Sequence, residues 1–547
     1  MTKVRGAAGR PCWLVEPTEA GVSFRILATM SKQNVDADQG TAADEESLGT
    51  SIDSSPENEA GPVEVALPAL SAPAPAADAQ EGPADPEATD EDGPDPSEAY
   101  PMLRPLDAYP MDLRDPGTGM VQKVLVLADP SGIAPSVVKL PPLGAAVIEL
   151  CDGTRTREQI CSDFSKQYRT PLSPDALGSL LQKLDDALLL DSTRFRLHCA
   201  RLFADFAGLE TRPPLFAGRH YPAAAEEIRS TLLAAFGPPH GPALPKPADG
   251  APVQTTAHGL PRAVLVPTVD VSRAGPAYAW GYRALLDAPR LPSLIVLLGC
   301  DHAAHDALVT LTRKHLDTPL GTLKTDTALV DAIVADLGER DPQLGELATR
   351  DEAHHRGEHS LEMQALWLRF VLDWRREHGL PTGLPEGAEP RILPVLCGSL
   401  HDLAVNPPSR DGKLQPQQTT QILDEFVVAL QRRVGERQQA GETVLWVAAS
   451  DLAHVGPRFG DAEEVSESDR DSLERRDQET LKPLLSGDAM GFLGEIRRER
   501  DRRHIAGLGT LYLFLQAARP TAGKLRCYAQ CDAESASFIS LATLVYP

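Results

Sequence analysis

The chain of 547 residues is too long for one small domain and leads to an expectation of two or three compact units with linkers. Its hydrophobic content of 42% suffices for buried cores, and no apolar run reaches the roughly 18 residues that a bilayer-spanning helix needs. The net charge of −25 is concentrated between residues 33 and 100, which hold 18 Asp and Glu and no Lys or Arg; no basic patch points to nucleic acid.

Residues 1–32 include basic positions but no 7–15-residue apolar stretch, so no secretory signal is expected, and Met30 offers an alternative initiator. Eight cysteines (Cys12, Cys151, Cys161, Cys199, Cys300, Cys397, Cys527 and Cys531) are scattered without a CxxC pair, which fits a reduced, cytoplasmic protein. Residues 33–100 add nine prolines and have no aromatic residue before Tyr100. Such a segment buries too little to offset its ordering entropy. Residues 1–100 are therefore expected to form a disordered, acidic, Pro/Ala-rich tail, a solvating linker before a partner-binding one.

Residues 101–197 read as a small winged-helix unit. VQKVLVLADP is a strand with Val124, Val126 and Ala128 on one face and Leu125 and Leu127 on the other. LPPLGAAVIELCDG reads as a helix stopped by Gly153, and Thr156 and Gln159 have capping-box spacing for the next one. Ser173 and Pro174 open a third helix whose Leu177, Leu180, Leu181, Leu184 and Leu188 form an apolar stripe. LLLDSTRFRL is read as a closing strand. Through DGTRTREQI and LDDALLLDSTRF the stretch resembles the winged-helix modules related to the peptide chaperone of pyrroloquinoline-quinone synthesis. That resemblance implies a peptide partner held against the wing and third helix; the plainer alternative is a structural appendage.

From residue 213 to 547 strands alternate with helices. AVLVP (263–267), LIVLLG (294–299), RILPVLCG (391–398) and TVLWVAAS (443–450) are continuous apolar runs, the pattern of strands buried on both faces. GPAYAWGYRALL, a segment with Met363, Leu366, Trp367 and Phe370 at helical spacing, and residues 417–434 read as helices. LRCYAQCD and SFISLATLVY close the domain as strands. The predicted class is α/β, a central largely parallel sheet flanked by helices.

Ligands gather at the carboxyl ends of strands in such sheets. There lie Cys300-Asp301-His302 after one strand and Asp451 and His454 after another, while Glu358-His359-Ser360 precedes a helix. His, Asp and Glu are the ligands of non-haem iron and the groups of acid–base chemistry. The plainer readings are a hydrogen-bonded loop histidine at His302, a turn cap at Asp451 bonded to His454, and a helix N-cap at Glu358-His359-Ser360. Cys300 and Cys397 read as small buried residues. EIRRERDRRH (495–504) reads as a solvated helix face.

FAGRHYP (216–222), PTVDVSRAGP (267–276), the LGCDH loop, TPLGTLKTD (318–326), GEHSLEMQ (357–364), ILPVLCG (392–398), SDLAHVGPRFG (450–460) and IAGLGTLYLFL (505–515) occur in the order and spacing of the Memo family, which this half of the chain resembles. The resemblance implies a fold similar to the catalytic subunit of class III extradiol dioxygenases, which open aromatic diols with Fe(II). It also implies iron or copper as the metal, and a radical-SAM partner protein in the AmmeMemoRadiSam grouping.

Carried over by position, the family's three metal ligands fall on Thr268, His302 and Ala506, so only His302 is retained. The acid–base histidine and its aspartate fall on His454 and Asp451, the EHS element on Glu358 and His359, and the Trp of a WYP entry on His220. The expectation is a degenerate metal site in a non-catalytic or altered binding component. The alternative is a metal-dependent, dioxygenase-like oxidoreductase that recruits Asp270, Cys300, His305 or His359.

Overall fold

The computed structural model describes residues 12–18, 21–27, 99–114, 120–129, 131–134, 136–245, 259–302, 307–405, 416–461, 463–533 and 536–547. The acidic stretch 33–98 lies outside them. Inside the segment assigned to the tail, β1 (Cys12–Thr18) and β2 (Gly21–Leu27) pair antiparallel. There GVSFRIL alternates apolar and polar positions, a strand pattern, and a short connection permits a hairpin.

Two compact units divide at residue 199. In the first, β3 (Asp107–Arg114), β4 (Val121–Ala128) and β5 (Val138–Leu140) form a three-stranded antiparallel sheet in that order. Helices Pro142–Ile148, Arg157–Tyr168 and Pro174–Asp186 follow. Thr156 accepts from Gln159 N and the Gln159 side chain bonds back to Thr156 N, completing a capping box; Ser173 accepts from Ala176 N. Leu177, Leu180, Leu181 and Leu184 are buried against Ile160 and Phe164. The closing strand over 188–197 is not formed. Thr193–Ala207 is helical, because Ser192 Oγ accepts from Phe195 N at 3.1 Å and starts a helix there; only Leu190 bridges, to Leu103.

The second unit contains β6 (Thr211–Arg212), β7 (Ala263–Val266), β8 (Leu294–Cys300), β9 (Val309–Leu311), β10 (His315–Leu316), β11 (Arg391–Cys397), β12 (Val444–Ala449), β13 (His454–Val455), β14 (Lys524–Ala533) and β15 (Ser537–Tyr546). The large sheet runs β13-β15-β7-β12-β8-β11-β9, with β14 on β15. Its centre, β7-β12-β8-β11, is parallel, and the outer strands are antiparallel. Alternate residues enter opposite cores: Leu294, Val296 and Leu298 one, Ile295 and Leu297 the other. A sheet covered on both faces needs this uninterrupted apolar composition. No described helix is long and apolar enough to cross a membrane.

The charged run 495–504 is also corrected. Arg498, Arg500 and Arg502 are exposed, but Asp501 and Arg503 are buried. Arg503 pairs with Asp477 and donates to Thr480 Oγ1 at 2.7 Å, so a guanidinium replaces solvent contact with a buried ion pair.

Candidate functional site

Strand order decides which loops meet. β12 lies between β7 and β8, so Thr268, Asp451 and His302 follow three adjacent parallel strands at their carboxyl ends. Asp451 is buried and spends its carboxylate on Thr268: Oδ1 accepts from Thr268 N at 2.9 Å, and the Thr268 hydroxyl donates to Oδ2. This ties the ends of β7 and β12 together. Among the described residues His454 Nδ1 is buried without a hydrogen-bond partner, so the structure gives no Nδ1 bond between His454 and Asp451. The His454 backbone is fixed instead, by His454 N to Arg503 O at 2.7 Å and by His504 Nδ1 at 3.1 Å from His454 O. Burial lowers the pKa of His454 and favours its neutral form, against the attraction of Asp451.

Glu358 stands opposite, as N-cap of helix His359–Glu377, and accepts from Ser360 N at 2.8 Å. It also accepts from His302 N at 3.0 Å, and His302 Nδ1 lies 3.0 Å from Oε2. The cap reading and the pocket reading of Glu358-His359-Ser360 thus describe one arrangement. His359 Nδ1 lies 3.2 Å from Glu358 Oε1, and the His302 and His359 rings stack at 4.8 Å. Burial opposes charge on His302, but the Glu358 carboxylate outweighs it and lifts the pKa to about 9; a side chain 39% exposed keeps water at the ring. Burial lowers His359 to about 4, Glu358 pulling the other way and the His302 charge adding to the depression. Burial alone would raise the Glu358 carboxyl, but His302 and His359 hold it well below the usual range.

The surrounding polar residues come from the same EHSLEMQ segment, and sequence reasoning passed over them. Glu362 is buried and receives Arg212 Nη1 at 2.6 Å, Leu215 N at 3.0 Å, Phe216 N at 2.8 Å and Tyr221 Oη at 2.6 Å. It fastens the FAGRHYP loop, which carries His220 to within 5.6 Å of the His359 ring. Gln364 Nε2 donates to Pro267 O at 3.0 Å and Ser360 Oγ to Cys300 O at 3.0 Å, joining this helix to β7 and β8. A signal was present: polar residues at i, i+4 (Glu358 and Glu362, Ser360 and Gln364) repeat beside the apolar positions Leu361, Met363 and Ala365. His354 Nδ1, 2.8 Å from the buried Asp301, is a further unanticipated partner.

The family's ion position can be tested against these contacts. Thr268 is 2% exposed, with its amide and hydroxyl both committed to Asp451. Ala506 is exposed and carries only a methyl group. Gly507 packs so tightly on Ser450 that a Cβ there would fall 1.7 Å from Ser450 Oγ. Of the three positions that the resemblance implies, His302 alone carries an imidazole, thiolate or carboxylate donor. Of the substitute donors, Asp270 caps helix Val271–Asp287 and pairs with Arg273, and burial pushes the Cys300 thiol up. His305 lies outside the described residues. A separate cavity, lined by Arg262, Trp446, Arg519 and Tyr546, sits at the opposite end of β7 and β12.

The family model for Memo-like protein matches residues 212–403 and 416–545. The chain belongs to the Memo family. A MEMO1 family protein of Aquifex aeolicus is 23% identical over 434 residues, covering 77% of this chain and 95% of that protein. One from Methanopyrus kandleri is 25% identical over 289 residues, covering 52% and 80%. A third, from Thermus thermophilus, is 25% identical over 396 residues, covering 72% and 99%. The Aquifex match takes in more of the chain than the Memo segment spans, so the likeness continues upstream of residue 212.

Proposed function

We propose that this Memo-family chain is a binding component of an AmmeMemoRadiSam-type system, with the family's metal position given up and no ring-opening oxidation. The observation that carries it is the state of Thr268: where the family places a ligand, this residue is locked to Asp451 by amide and hydroxyl. What remains is a cluster of histidines, His220, His302 and His359 with His454, near two buried carboxylates, which in this reading takes a small polar molecule or a peptide end. The upstream unit, read as a winged-helix module, supplies a peptide-holding surface in this scheme. Relatives matching beyond the Memo segment support the two units acting together.

The test is dioxygen uptake by the full chain, purified anaerobically with Fe(II) and offered catechol-type diols, alongside capture of a radical-SAM protein encoded nearby. Expected are no uptake above buffer and co-purification of the partner. Uptake that disappears in His302→Ala overturns the reading.

A further inference from the structure

Three donors here are spaced as ligands of one cation, sharing His302 with the family's position and replacing Thr268 and Ala506 by Glu358 and His359. His302 Nδ1 is 3.0 Å from Glu358 Oε2, and His359 Nδ1 is 3.2 Å from Glu358 Oε1. One donor atom from each residue lies within 4.8 Å of the other two. Donors about 2.0–2.2 Å from one ion at tetrahedral or octahedral angles are roughly 3.0–3.5 Å apart. Both histidine–carboxylate separations already have that length, and the imidazole pair, at most 4.8 Å apart, closes by up to about 1.3 Å to reach about 3.5 Å.

The charge around the cluster points the same way. Glu358 and Asp451 are 3% and 4% exposed, and neither has an ion pair with Lys or Arg among the described residues. Buried carboxylates are ordinarily paired with a cation or a metal. Here Glu358 meets two imidazoles and the backbone amides of His302 and Ser360, while Asp451 meets a hydroxyl and backbone amides. His454 Nδ1 and His220 Nδ1 add two buried nitrogens without partners among the described residues.

We propose that His302, Glu358 and His359 form a divalent-cation site of the zinc class. Two imidazole nitrogens and one carboxylate oxygen suit borderline ions such as zinc, cobalt or nickel better than calcium or magnesium. Three protein donors leave a position for water or for an anionic group of a bound molecule. The inference goes beyond the binding reading: an ion held here needs no oxygen chemistry, and the proposed binding of a polar molecule does not depend on it.

The experiment titrates the chelator-treated full chain with zinc sulfate by calorimetry and with cobalt chloride by absorption, each with far-ultraviolet circular dichroism as a fold control. Expected are one ion per chain and at least tenfold weaker binding in both His359→Ala and His302→Ala. No saturable binding by the wild type, or binding that His359→Ala leaves unchanged, overturns the proposal. If a variant fails to fold, proton NMR of the cobalt-loaded wild type decides. Two hyperfine-shifted imidazole N–H signals support the site, and one or none refutes it. Dioxygen uptake bears on the preceding reading alone, since neither titration depends on it.

Discussion

Removing Glu362 should be costly out of proportion to its size. In Glu362→Ala the guanidinium of Arg212, 2% exposed, loses its carboxylate, and Leu215 N, Phe216 N and the Tyr221 phenol lose an acceptor. Breaking one side of a buried ion pair costs about 3–5 kcal/mol, because a desolvated charge is left unanswered. Leu215 and Phe216 are part-exposed, so water answers their amides, and the buried Tyr221 phenol alone adds about 1 kcal/mol as a stranded donor. The loss therefore sits near the top of the range for single substitutions, about 4–6 kcal/mol. Urea denaturation of the full chain measures it, and amide exchange at Leu215 and Phe216 reports whether the FAGRHYP loop loosens first. The double variant Arg212→Met/Glu362→Leu should recover most of the loss, since the orphaned charge goes with its partner. A Glu362→Ala penalty under about 1 kcal/mol, or a double variant as unstable as the single one, would refute the argument.

Two further outcomes follow from the same contacts. Gly507→Ala drives a methyl into Ser450 Oγ and should destabilise by about 1–3 kcal/mol, with part restored by Ser450→Gly; unchanged thermal unfolding counts against that packing. His355 is buried, with Nε2 3.0 Å from Thr310 O, and burial lowers its pKa from 6.5 to about 3. A depressed folded pKa favours the neutral ring, so its contribution is complete above pH 6.5 and is lost as pH falls towards 3. The loss approaches about 1.4 kcal/mol per pH unit for one proton. Denaturation midpoints from pH 7 to 4 should fall less steeply in His355→Asn than in the wild type, and parallel slopes contradict the assignment.

The α/β core was legible because β7, β8, β11 and β12 are buried on both faces and leave uninterrupted apolar runs. The edge strand β3 was not, since DAYPMDLR carries a proline and two aspartates, which only an edge tolerates. The helix at Thr193–Ala207 was misread because LLLDSTRF opens on an apolar run, while the cap at Ser192 and the long amphipathic stretch beyond it decide the matter. At the site, residue types after the strands identified His302 and Asp451, and the family resemblance singled out Thr268, but neither foretold that Asp451 would turn to Thr268. That contact depends on β12 entering between β7 and β8, which no local pattern encodes. Glu362 and Gln364 were hidden between the apolar positions of a helix whose buried polar partners lie about 100–150 positions away.

The late insertion of β12 has a consequence for assembly. β7 and β8 are made about 150–180 residues before the strand that joins them, and β15, β7's other neighbour, comes last of all. During synthesis both strands wait with hydrogen-bonding edges uncovered, a condition that slows folding and invites wrong pairing. The histidine cleft is accordingly among the last parts of the molecule to come into being, and a chain truncated before residue 444 has His302 and Glu358 without the wall that Asp451 builds.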